Sequence, residues 1–428
     1  MKQFVICFAA LVNILPVIAV VLSQETQQLL LVSFDGFRWD YLDKVDTPNF
    51  DRMARRGVKA KYMTPAFPTL TLPAHHTIAT GLYPESHGVV HNIMYDPDLN
   101  ETITRETRNE SKWWDTGPHP YGLQPGRKSA TFNYYGGEVK IKNYTATYFV
   151  SEDPVNSSVT REEGVKAAIA WLTEGVAFVA VHFSEPDHVG HAYGPDSDEV
   201  KQQITNADET LGRLLDKIEA SQLSNKVNII VTSDHGMANI YRDKKVQLYD
   251  FINPDDVTYI VANYGPLAMI LPREGRLEPV LQLLQNASVH MKVYRKENVP
   301  NRLHFSSNNR ILPIIAMTED PWEIFTVFDG TKLEAGGHGF DNDDVNMRTI
   351  FLAEGPSFKK NLIVDPFESV QLYELMCHVI GLNPAPNNGS LEVLRSMLLD
   401  SETNAAVLAG TANALAGFIA CGLIWILH

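Results

Sequence analysis

Three carboxylates and three imidazoles stand in short polar segments of the chain. They are Asp35, Asp187, His191, Asp234, His235 and His338. Mixed oxygen and nitrogen donors of this kind suit Zn²⁺, and this set is large enough for two ions that keep open positions for a substrate. Two such ions carry more positive charge than three carboxylates neutralise, so an alkoxide or a phosphate oxygen can supply the rest. The residues therefore predict a two-zinc site that acts on phosphorus.

Thr71 stands just before a run that is compatible with a helix up to Gly81. Pro73 fits the first turn of that helix, where its missing N–H costs nothing. Free N–H groups and the positive end of the helix dipole favour an alkoxide or a phosphate at this point. Zinc lowers the pKa of a bound hydroxyl, so the hydroxyl becomes a nucleophile without a neighbouring base. The donors thus favour Thr71 as the nucleophile over the alternative role of a simple helix N-cap.

The three aspartates among these donors follow apolar runs that are typical of buried strands. The runs cover residues 29–34, 176–183 and 227–232, and they show no alternation of apolar and polar residues. Such runs indicate central parallel strands, and the carboxyl ends of parallel strands are where sites form in open α/β sheets. We expect Asp187 and His191 to share a loop after the second run.

The remaining pattern predicts an α/β fold with a large, mostly parallel central sheet that is flanked by helices. Helices are expected at 161–173 and 196–220, the second with an amphipathic stripe. Short strands at 268–271, 311–317 and 324–328 predict a smaller inserted sub-region. Because no linker separates the donors, we expect a single catalytic domain over residues 24–400.

The overall charge restricts the partners. The chain has 428 residues, of which 44% are hydrophobic, and a formal net charge of −15 at pH 7. No basic patch offsets this charge, which argues against a nucleic-acid polymer as the natural partner. The oligomeric state is not predicted by these features.

Both ends of the chain carry features of an exported protein. Residues 1–23 are typical of a signal peptide. The hydrophobic tail at 401–428 favours a glycosylphosphatidylinositol (GPI) signal over a transmembrane anchor, because no basic residues follow it. The expected location is therefore the extracellular face of the plasma membrane, with C-terminal anchoring.

The sequons agree with export, whereas the cysteine usage is unusual for an exported protein and argues against a disulfide-stabilised fold. The glycosylation acceptors that the sequence predicts are Asn100, Asn109, Asn143, Asn156, Asn286 and Asn388. Cys377 is the one cysteine between the signal peptide and the tail, so no disulfide can form within this region. Its helical surroundings predict a buried, inert thiol.

Six ordered motifs resemble those of the ectonucleotide pyrophosphatase/phosphodiesterase (NPP) family, within the alkaline phosphatase superfamily. The motifs are Ser-Phe-Asp-Gly-Phe-Arg at 33–38, Thr-Leu-Pro-Ala-His at 71–75, Thr-Gly-Leu-Tyr-Pro-Glu-Ser-His-Gly at 80–88, Asp-His-Val-Gly-His at 187–191, Thr-Ser-Asp-His-Gly-Met at 232–237 and Gly-His-Gly-Phe-Asp-Asn at 337–342. The resemblance covers roughly residues 29–395. Six motifs in order are far more specific than one short match.

The resemblance implies the division of the donors and an alkaline-phosphatase-like fold. Asp187, His191 and His338 would hold one zinc ion, and Asp35, Asp234 and His235 would hold the other together with Thr71. Attack by Thr71 on phosphorus would give a covalent phosphothreonine. Asn92 matches an asparagine that donates a hydrogen bond to a non-bridging phosphate oxygen, as in an oxyanion hole. Its alternative role is that of an ordinary turn residue.

The implied substrate is a choline phospholipid. Members that cleave nucleotides carry Phe and Lys where this chain has Leu72 and Ile93, and the sequence looks closest to the choline-phosphodiesterase (alkaline sphingomyelinase) type. That type releases phosphocholine from substrates such as sphingomyelin or lysophosphatidylcholine. Aromatic residues that could contact a quaternary ammonium by cation–π attraction are Tyr95, Tyr134 and Tyr135, although packing is their commoner role.

Three other functions remain open. The first is nucleotide pyrophosphatase/phosphodiesterase activity, and the second is phosphomonoester hydrolysis, which should show an arginine that pins the additional phosphate charge. The third is a non-catalytic cell-surface protein that has the same fold, for which the loss of a metal donor or of the nucleophile would be the sign.

Overall fold

A computed structural model describes residues 27–399 apart from 105–106, 108, 115–126, 142–143, 152–159, 264 and 329–333. The predicted signal peptide at 1–23 and tail at 401–428 lie outside the described residues, as do Asn143 and Asn156. The predicted domain limits of 24 and 400 also fall outside them and stay a prediction.

The strands and helices follow one another as follows. The strands are β1 (Gln28–Phe34), β2 (Val58–Ala60), β3 (Met63–Thr64), β4 (Met94–Asp96), β5 (Glu101–Ile103), β6 (Ser129–Phe132), β7 (Tyr148–Val150), β8 (Phe178–Phe183), β9 (Val227–Thr232), β10 (Ala238–Asn239), β11 (Lys245–Gln247), β12 (Val257–Val261), β13 (Leu267–Pro272), β14 (Met291–Arg295), β15 (Ile314–Thr318), β16 (Glu323–Phe325), β17 (Gly336–Gly337), β18 (Phe351–Glu354), β19 (Leu362–Val364) and β20 (Phe367–Glu368). The α-helices are α1 (Pro48–Arg56), α2 (Thr71–Thr80), α3 (Pro84–His87), α4 (Arg161–Thr173), α5 (Asp187–Tyr193), α6 (Asp198–Ala220), α7 (Leu277–Gln285), α8 (Leu372–Val379) and α9 (Leu391–Leu394).

The central sheet contains eight of these strands in the order β19-β2-β18-β9-β1-β8-β6-β7. Strand β1 pairs in parallel with both β8 and β9, and β6 continues the parallel pairing on the far side of β8. Strand β18 pairs antiparallel with β9 and with β2, so the sheet is mixed. The predicted α/β fold with a mostly parallel central sheet is confirmed.

Helices cover both faces of this sheet, which explains why its strands lack alternation. Leu30, Val32 and Phe34 of β1 pack on one face in a cluster that includes residues of α1, α4 and α6. Leu29 and Leu31 pack on the other face with residues of α2, α8 and α9. All five side chains are fully buried. Burial on both faces selects apolar residues at every position of such a strand.

A second sheet of four antiparallel strands, in the order β12-β13-β15-β14, forms the smaller sub-region that the sequence predicts. Helix α7 packs on it, and their shared core includes Val280, Leu284 and Ile314. Strand β16 follows this sheet in the chain and pairs in parallel with β11. Glu323 and Phe325 of β16 line a cavity that also borders His338, the residue directly after β17.

Over residues 27–399, leaving aside the gaps given above, no helix is long and apolar enough to cross a membrane. The longest helix, α6, has 23 residues and is amphipathic, because it buries one stripe and carries acidic and basic residues on the rest of its surface. No element that the structure describes therefore supports the predicted C-terminal anchoring at the plasma membrane, and that prediction is not retained.

The structure describes four of the predicted glycosylation acceptors and the cysteine, and their exposure or burial agrees with the predictions. The acceptor side chains of Asn100, Asn109, Asn286 and Asn388 belong to exposed residues. Cys377 is buried in α8, and burial raises the pKa of its thiol to about 11. The expectation of a buried, unreactive thiol is therefore confirmed.

Candidate active site

The parallel pairing of β1 with β8 and β9 brings three chain segments to one edge of the sheet. Asp35 directly follows β1, and Asp234 follows β9 after a single serine. Backbone and side-chain hydrogen bonds join the segments, because Asp187 N donates to Asp35 O at 3.1 Å and Gly36 N donates to Asp234 Oδ1 at 3.1 Å. The three aspartates that the sequence singled out therefore meet at this edge.

Gly36 allows two of these segments to approach closely. Its φ is +65°, and a Cβ atom added there would lie 2.9 Å from Asp187 Cβ and 3.0 Å from Asp187 Oδ1. A side chain at this position would therefore be strained by its backbone conformation and would also displace Asp187.

Asp187 and His191 lie on helix α5, not in a loop as the sequence predicted. They are one helical turn apart, so both side chains point from the same face. The sequence predicted a loop here because helix α5 begins directly after the turn that follows β8, and the spacing of Asp187 and His191 alone does not reveal where a helix begins. His338 comes from the segment after β17, which pairs antiparallel with β10.

Two groups of donors are close enough to share an ion each. Ligand atoms of Asp187, His191 and His338 all lie within 4.8 Å of one another, and so do those of Asp35, Asp187 and His235. Asp234 adjoins the second group, because its Oδ2 atom lies 3.2 Å from His235 Nε2. The structure thus brings all six predicted donors together, with Asp187 between the groups.

Each of the three histidines has one ring nitrogen committed to the backbone. The Nδ1 atoms of His191, His235 and His338 lie 2.9 Å from the carbonyl oxygens of Gly336, Gly236 and Thr69, respectively. A carbonyl only accepts, so each Nδ1 carries the hydrogen. This arrangement leaves the Nε2 lone pairs directed into the site, as in zinc sites whose histidines are oriented by a second partner.

The two oxygens of the Asp234 carboxylate also have different surroundings. Asp234 Oδ1 accepts from Gly36 N and from Ser233 Oγ, whereas Asp234 Oδ2 is buried and accepts no hydrogen bond among the described residues. Asp187 Oδ1 is likewise buried without a hydrogen bond from the part of the chain that the structure describes. Buried carboxylate oxygens without hydrogen bonds are costly unless a cation faces them. The donor set therefore fits two divalent cations, and zinc matches its mixed ligands.

The pKa values of two side chains reflect this concentration of charge. Burial alone would lower the pKa of His191, but the carboxylates of Asp187 and Glu334 outweigh it and raise the pKa to about 9. Burial would raise the pKa of Asp234, but the imidazoles of His235, His75 and His182 hold it well below its usual range. The site thus favours positive charge beside His191 and an ionised Asp234.

Thr71 is the first residue of α2, and its Oγ1 atom lies 3.2 Å from His235 Nε2. Leu70 occupies the N-cap position, where no side chain caps the helix. Thr71 therefore does not act as the N-cap that was its alternative role. Its hydroxyl faces the second donor group, at the positive end of the helix.

Asn92 is tied to the residue next to Thr71. Its Oδ1 atom accepts a hydrogen bond of 2.9 Å from Leu72 N, which leaves the Nδ2 amide as the donor end of the side chain. Asn92 also lines a cavity of about 230 Å³ that His191 and His338 border. The sequence missed other residues that line this cavity, namely Glu323, Phe325 and Glu334.

The three tyrosines that were candidates for substrate contact do not line this cavity. Tyr95 stacks on Tyr259 with centroids 4.3 Å apart, and its hydroxyl donates to Asn100 Oδ1. Tyr134 is buried and donates to His75 O, while Tyr135 packs on the His75 ring. Packing is thus the role in which the structure shows them.

The sequence also missed His182, and it gave no site role to His75. His182 Nε2 lies 2.9 Å from Asp35 Oδ2, and His75 Nδ1 lies 2.9 Å from Thr71 O. Neither residue stands in a spacing that indicates a ligand. Only the strand register of β8 and the position of α2 bring them to the site.

Comparisons with known proteins agree with the geometry of the site. The family described as type I phosphodiesterase / nucleotide pyrophosphatase matches residues 29–341. Ectonucleotide pyrophosphatase/phosphodiesterase family member 7 of Mus musculus is 42% identical over 387 residues, which cover 88% of this chain and 88% of that relative. A bis(5′-adenosyl)-triphosphatase of Mus musculus is 37% identical over 386 residues, which cover 88% of this chain and 83% of that relative.

A solved structure extends the comparison to the fold. It is murine ectonucleotide pyrophosphatase/phosphodiesterase 5, described as an inactive variant with alanine in place of a threonine, in complex with AMP. It superposes with a TM-score of 0.83 at 37% sequence identity and covers 87% of this chain and 100% of its own. The family match, the relatives and the fold all lead to one conclusion. The chain belongs to the ectonucleotide pyrophosphatase/phosphodiesterase family of the alkaline phosphatase superfamily and is a hydrolase of phosphodiester or pyrophosphate bonds.

Proposed function

We propose that the chain is a two-zinc phosphodiesterase that hydrolyses choline phosphodiesters, such as sphingomyelin or lysophosphatidylcholine, and releases phosphocholine. The resemblance of its motifs to the alkaline sphingomyelinase type supports this choice, as do Leu72 and Ile93 in place of Phe and Lys. The observation that carries the choice is the charge of the cavity beside the donors.

The cavity lining is acidic. Glu323 and Glu334 line it, and the part of the lining that the structure describes holds no lysine or arginine. Each carboxylate has a basic neighbour: Glu323 attracts Lys245, which lies 5.2 Å from the centroid of the Phe325 ring, and Glu334 Oε2 lies 3.1 Å from Nδ1 of His191. A nucleotide polyphosphate would bring further negative charges beside these carboxylates, whereas choline brings a positive one. Unit charges about 4 Å apart near a protein surface interact by roughly 4 kcal/mol, which is enough to decide between such substrates.

The proposed reaction has two steps, and Thr71, Asn92 and a water molecule each have a role in them. The Thr71 hydroxyl loses its proton to solvent as Oγ1 attacks phosphorus, a new phosphorus–oxygen bond forms, and the ester oxygen of the lipid leaves with the bonding electrons and takes up a proton from water. Asn92 Nδ2 donates to a non-bridging oxygen while negative charge develops there. Water then displaces Thr71 from phosphorus, which regenerates the threonine and releases phosphocholine.

The donor groups would hold the metal ions for this chemistry. Asp187, His191 and His338 would hold one ion, and Asp35 and His235 would hold the other with the adjoining Asp234, beside Thr71; Asp187 lies close to both groups. Bound zinc would supply Lewis acidity that lowers the pKa of a coordinated hydroxyl and stabilises charge on phosphate oxygens. The protein fixes the positions of these donors through the backbone bonds of its histidines.

Nucleotide hydrolysis is the second candidate. Two relatives favour it, since one is named as a bis(5′-adenosyl)-triphosphatase and another is solved in complex with AMP. In this chain Leu72 is 5% exposed and packs in an apolar cluster, so it offers no surface on which a nucleobase could stack. Because Leu72 stands where nucleotide-cleaving members have Phe, we rank nucleotides below choline phosphodiesters as substrates.

A set of esters with one leaving group separates the candidates. We would measure kcat/KM for p-nitrophenyl phosphorylcholine, for its neutral carbon isostere p-nitrophenyl 3,3-dimethylbutyl phosphate, and for p-nitrophenyl thymidine 5′-monophosphate. The choline ester should exceed its isostere by about tenfold or more, which corresponds to roughly 1.4 kcal/mol. Glu323→Gln should reduce that ratio, because it removes one cavity charge.

Product analysis with sphingomyelin completes the test. Phosphocholine release should be lost with Thr71→Ala and after treatment with a chelator. Cleavage of the nucleotide ester without cleavage of either choline substrate would overturn the proposed substrate and keep the mechanism. Full activity of Thr71→Ala would overturn the mechanism.

A further inference from the structure

A layer of three buried side chains and one partly buried tyrosine lies beneath the metal-binding groups. This inner layer consists of Ser33, His75, Tyr135 and His182. The rings of His75 and His182 meet edge to face with centroids 5.0 Å apart, and the Tyr135 ring lies 5.2 Å from the first and 5.0 Å from the second. His75 and His182 are at most 3% exposed, so their ring nitrogens must find partners inside the protein.

Strand register places His182 next to Asp35. Strand β8 pairs with β1 so that His182 lies opposite Ser33, and Asp35 follows Ser33 by two residues on the same side of the strand. His182 Nε2 lies 2.9 Å from Asp35 Oδ2. An ionised carboxylate only accepts hydrogen bonds, so the nitrogen donates. Asp35 Oδ1 is then the oxygen that faces His235, 3.4 Å from its Nε2 atom.

His75 plays the corresponding part for the nucleophile. Its Nδ1 atom donates to Thr71 O at 2.9 Å, and its Nε2 atom accepts from Ser33 Oγ at 2.9 Å. The bond to Ser33 is buried and the bond to Thr71 is partly buried, and together they fix the first residue of α2 against β1. In the inner layer, His182 thus holds the metal donor Asp35, and His75 holds the backbone of Thr71.

We propose that His182 is a positioning residue that holds Asp35 with a single oxygen, Oδ1, presented to the second donor group. The inference rests on the proposed function for the presence of zinc there. Without the donor from His182, Asp35 Oδ2 loses a buried hydrogen bond, so the orientation of the carboxylate is less firmly fixed. Loss of such an outer contact typically weakens metal binding by about 10- to 100-fold.

Zinc binding tests the inference directly and requires no substrate. We would titrate the full chain with zinc against a chromophoric chelator, and compare the wild type with His182→Phe and His182→Gln. The phenyl ring fills the space without a donor, whereas the glutamine amide restores a donor near the position of Nε2. In His182→Phe one zinc ion should bind as in the wild type and the other about 10- to 100-fold more weakly, and His182→Gln should restore most of that affinity.

The outcomes separate the inference from the proposed function. Equal binding of two zinc ions by the wild type and by His182→Phe would overturn the inference alone, and so would equal weakening by Phe and Gln. If His182→Phe does not fold, His182→Asn takes its place, because its shorter amide is polar but does not reach Asp35. A wild-type chain that binds two zinc ions but shows no choline preference would overturn only the proposed substrate.

Discussion

Thr71 and Asn92 are joined through one backbone amide. The N–H of Leu72 donates to Asn92 Oδ1, so one hydrogen bond sets the positions of the proposed nucleophile and the proposed phosphate donor. An amide whose oxygen is engaged in this way has its nitrogen end available to a phosphate oxygen. The neutral donor suits a transition state in which charge on that oxygen grows.

Asn92→Asp separates the donor from the acceptor in this side chain. The variant keeps an oxygen for Leu72 N but replaces the amide donor with a second acceptor that repels a phosphate oxygen. We expect kcat to fall by about 10²- to 10³-fold, as is typical when an oxyanion-hole donor is lost, with little change in Tm.

Steady-state kinetics and thermal unfolding of the same preparation check the Asn92 prediction. Asn92→Ala serves as the control, because it removes both the donor and the bond to Leu72 and should lower Tm as well. A kcat for Asn92→Asp close to that of the wild type would contradict the assigned role.

Gly36 links the end of β1 to helix α5. Gly36→Ala should displace Asp187, since the new Cβ would lie 2.9 Å from the Cβ of that residue. We expect weaker zinc binding at both donor groups, because Asp187 lies between them, and a loss of about 1–3 kcal/mol in the free energy of unfolding from backbone strain and crowding.

Gly175→Ala is the matched control for the change at Gly36. Gly175 also has a positive φ, of +86°, but an added Cβ there meets nothing within 4 Å. It should therefore cost only about 1 kcal/mol of backbone strain and leave zinc binding unchanged. Equal effects of the two variants on zinc binding, in the same chelator titration, would show that contact with Asp187 is irrelevant.

Elements with strong local signals were predictable from sequence. The expected helix at 161–173 and strand at 227–232 agree with α4 and β9 to the residue, because a capping box begins the first and unbroken apolar residues make up the second. By contrast, helix α8 begins only at Leu372, because the residues just before it form the separate 3₁₀ turn Ser369–Gln371. Boundaries depend on contacts outside the segment and are less predictable.

The start of α1 shows such an outside contact. Thr47 occupies the N-cap position of α1, yet its side chain makes no capping bond. Asp208 of α6 accepts from the backbone N–H groups of Asn49 and Phe50 instead. No local pattern could reveal a cap that comes from a residue about 160 positions away in the chain. The role of His182 was likewise not predictable from a local pattern, because the pairing of β8 with β1 brings it to Asp35, which is distant in the sequence.

The stability of the whole molecule should depend on pH through Glu354, at the end of β18. Burial raises its pKa to about 7, and the nearby Arg56 and Arg52 reverse only part of that effect. Between about pH 4.5 and 7 the folded chain holds a proton that the unfolded chain has released, so the free energy of unfolding falls as pH rises through this range. Above pH 7 both states are ionised and the loss is complete.

Glu354→Gln should remove this dependence, because glutamine resembles the protonated side chain. Near pH 5 the variant and the wild type should unfold at similar urea concentrations, and at pH 8 the variant should be more stable by about 1–3 kcal/mol. A difference between the two proteins that is the same at both pH values would contradict the raised pKa.

Metal binding should stabilise the entire central sheet, because the donors come from the ends of β1 and β9, from α5 and from the segment after β17. Removal of zinc leaves the buried carboxylates of Asp35, Asp187 and Asp234 close together without a cation. An ion present at 100 times its Kd contributes about 2.7 kcal/mol, so we expect chelation to lower Tm by about 5 °C or more. Zinc, but not magnesium, should restore the Tm, since imidazole ligands favour zinc.

The variant Thr71→Ala serves as the control. Its Tm should respond to chelation much as that of the wild type does, because the remaining donors are unchanged. Calorimetry that shows the same Tm with chelator and with added zinc would mean that the donor groups do not hold a metal ion in the folded chain.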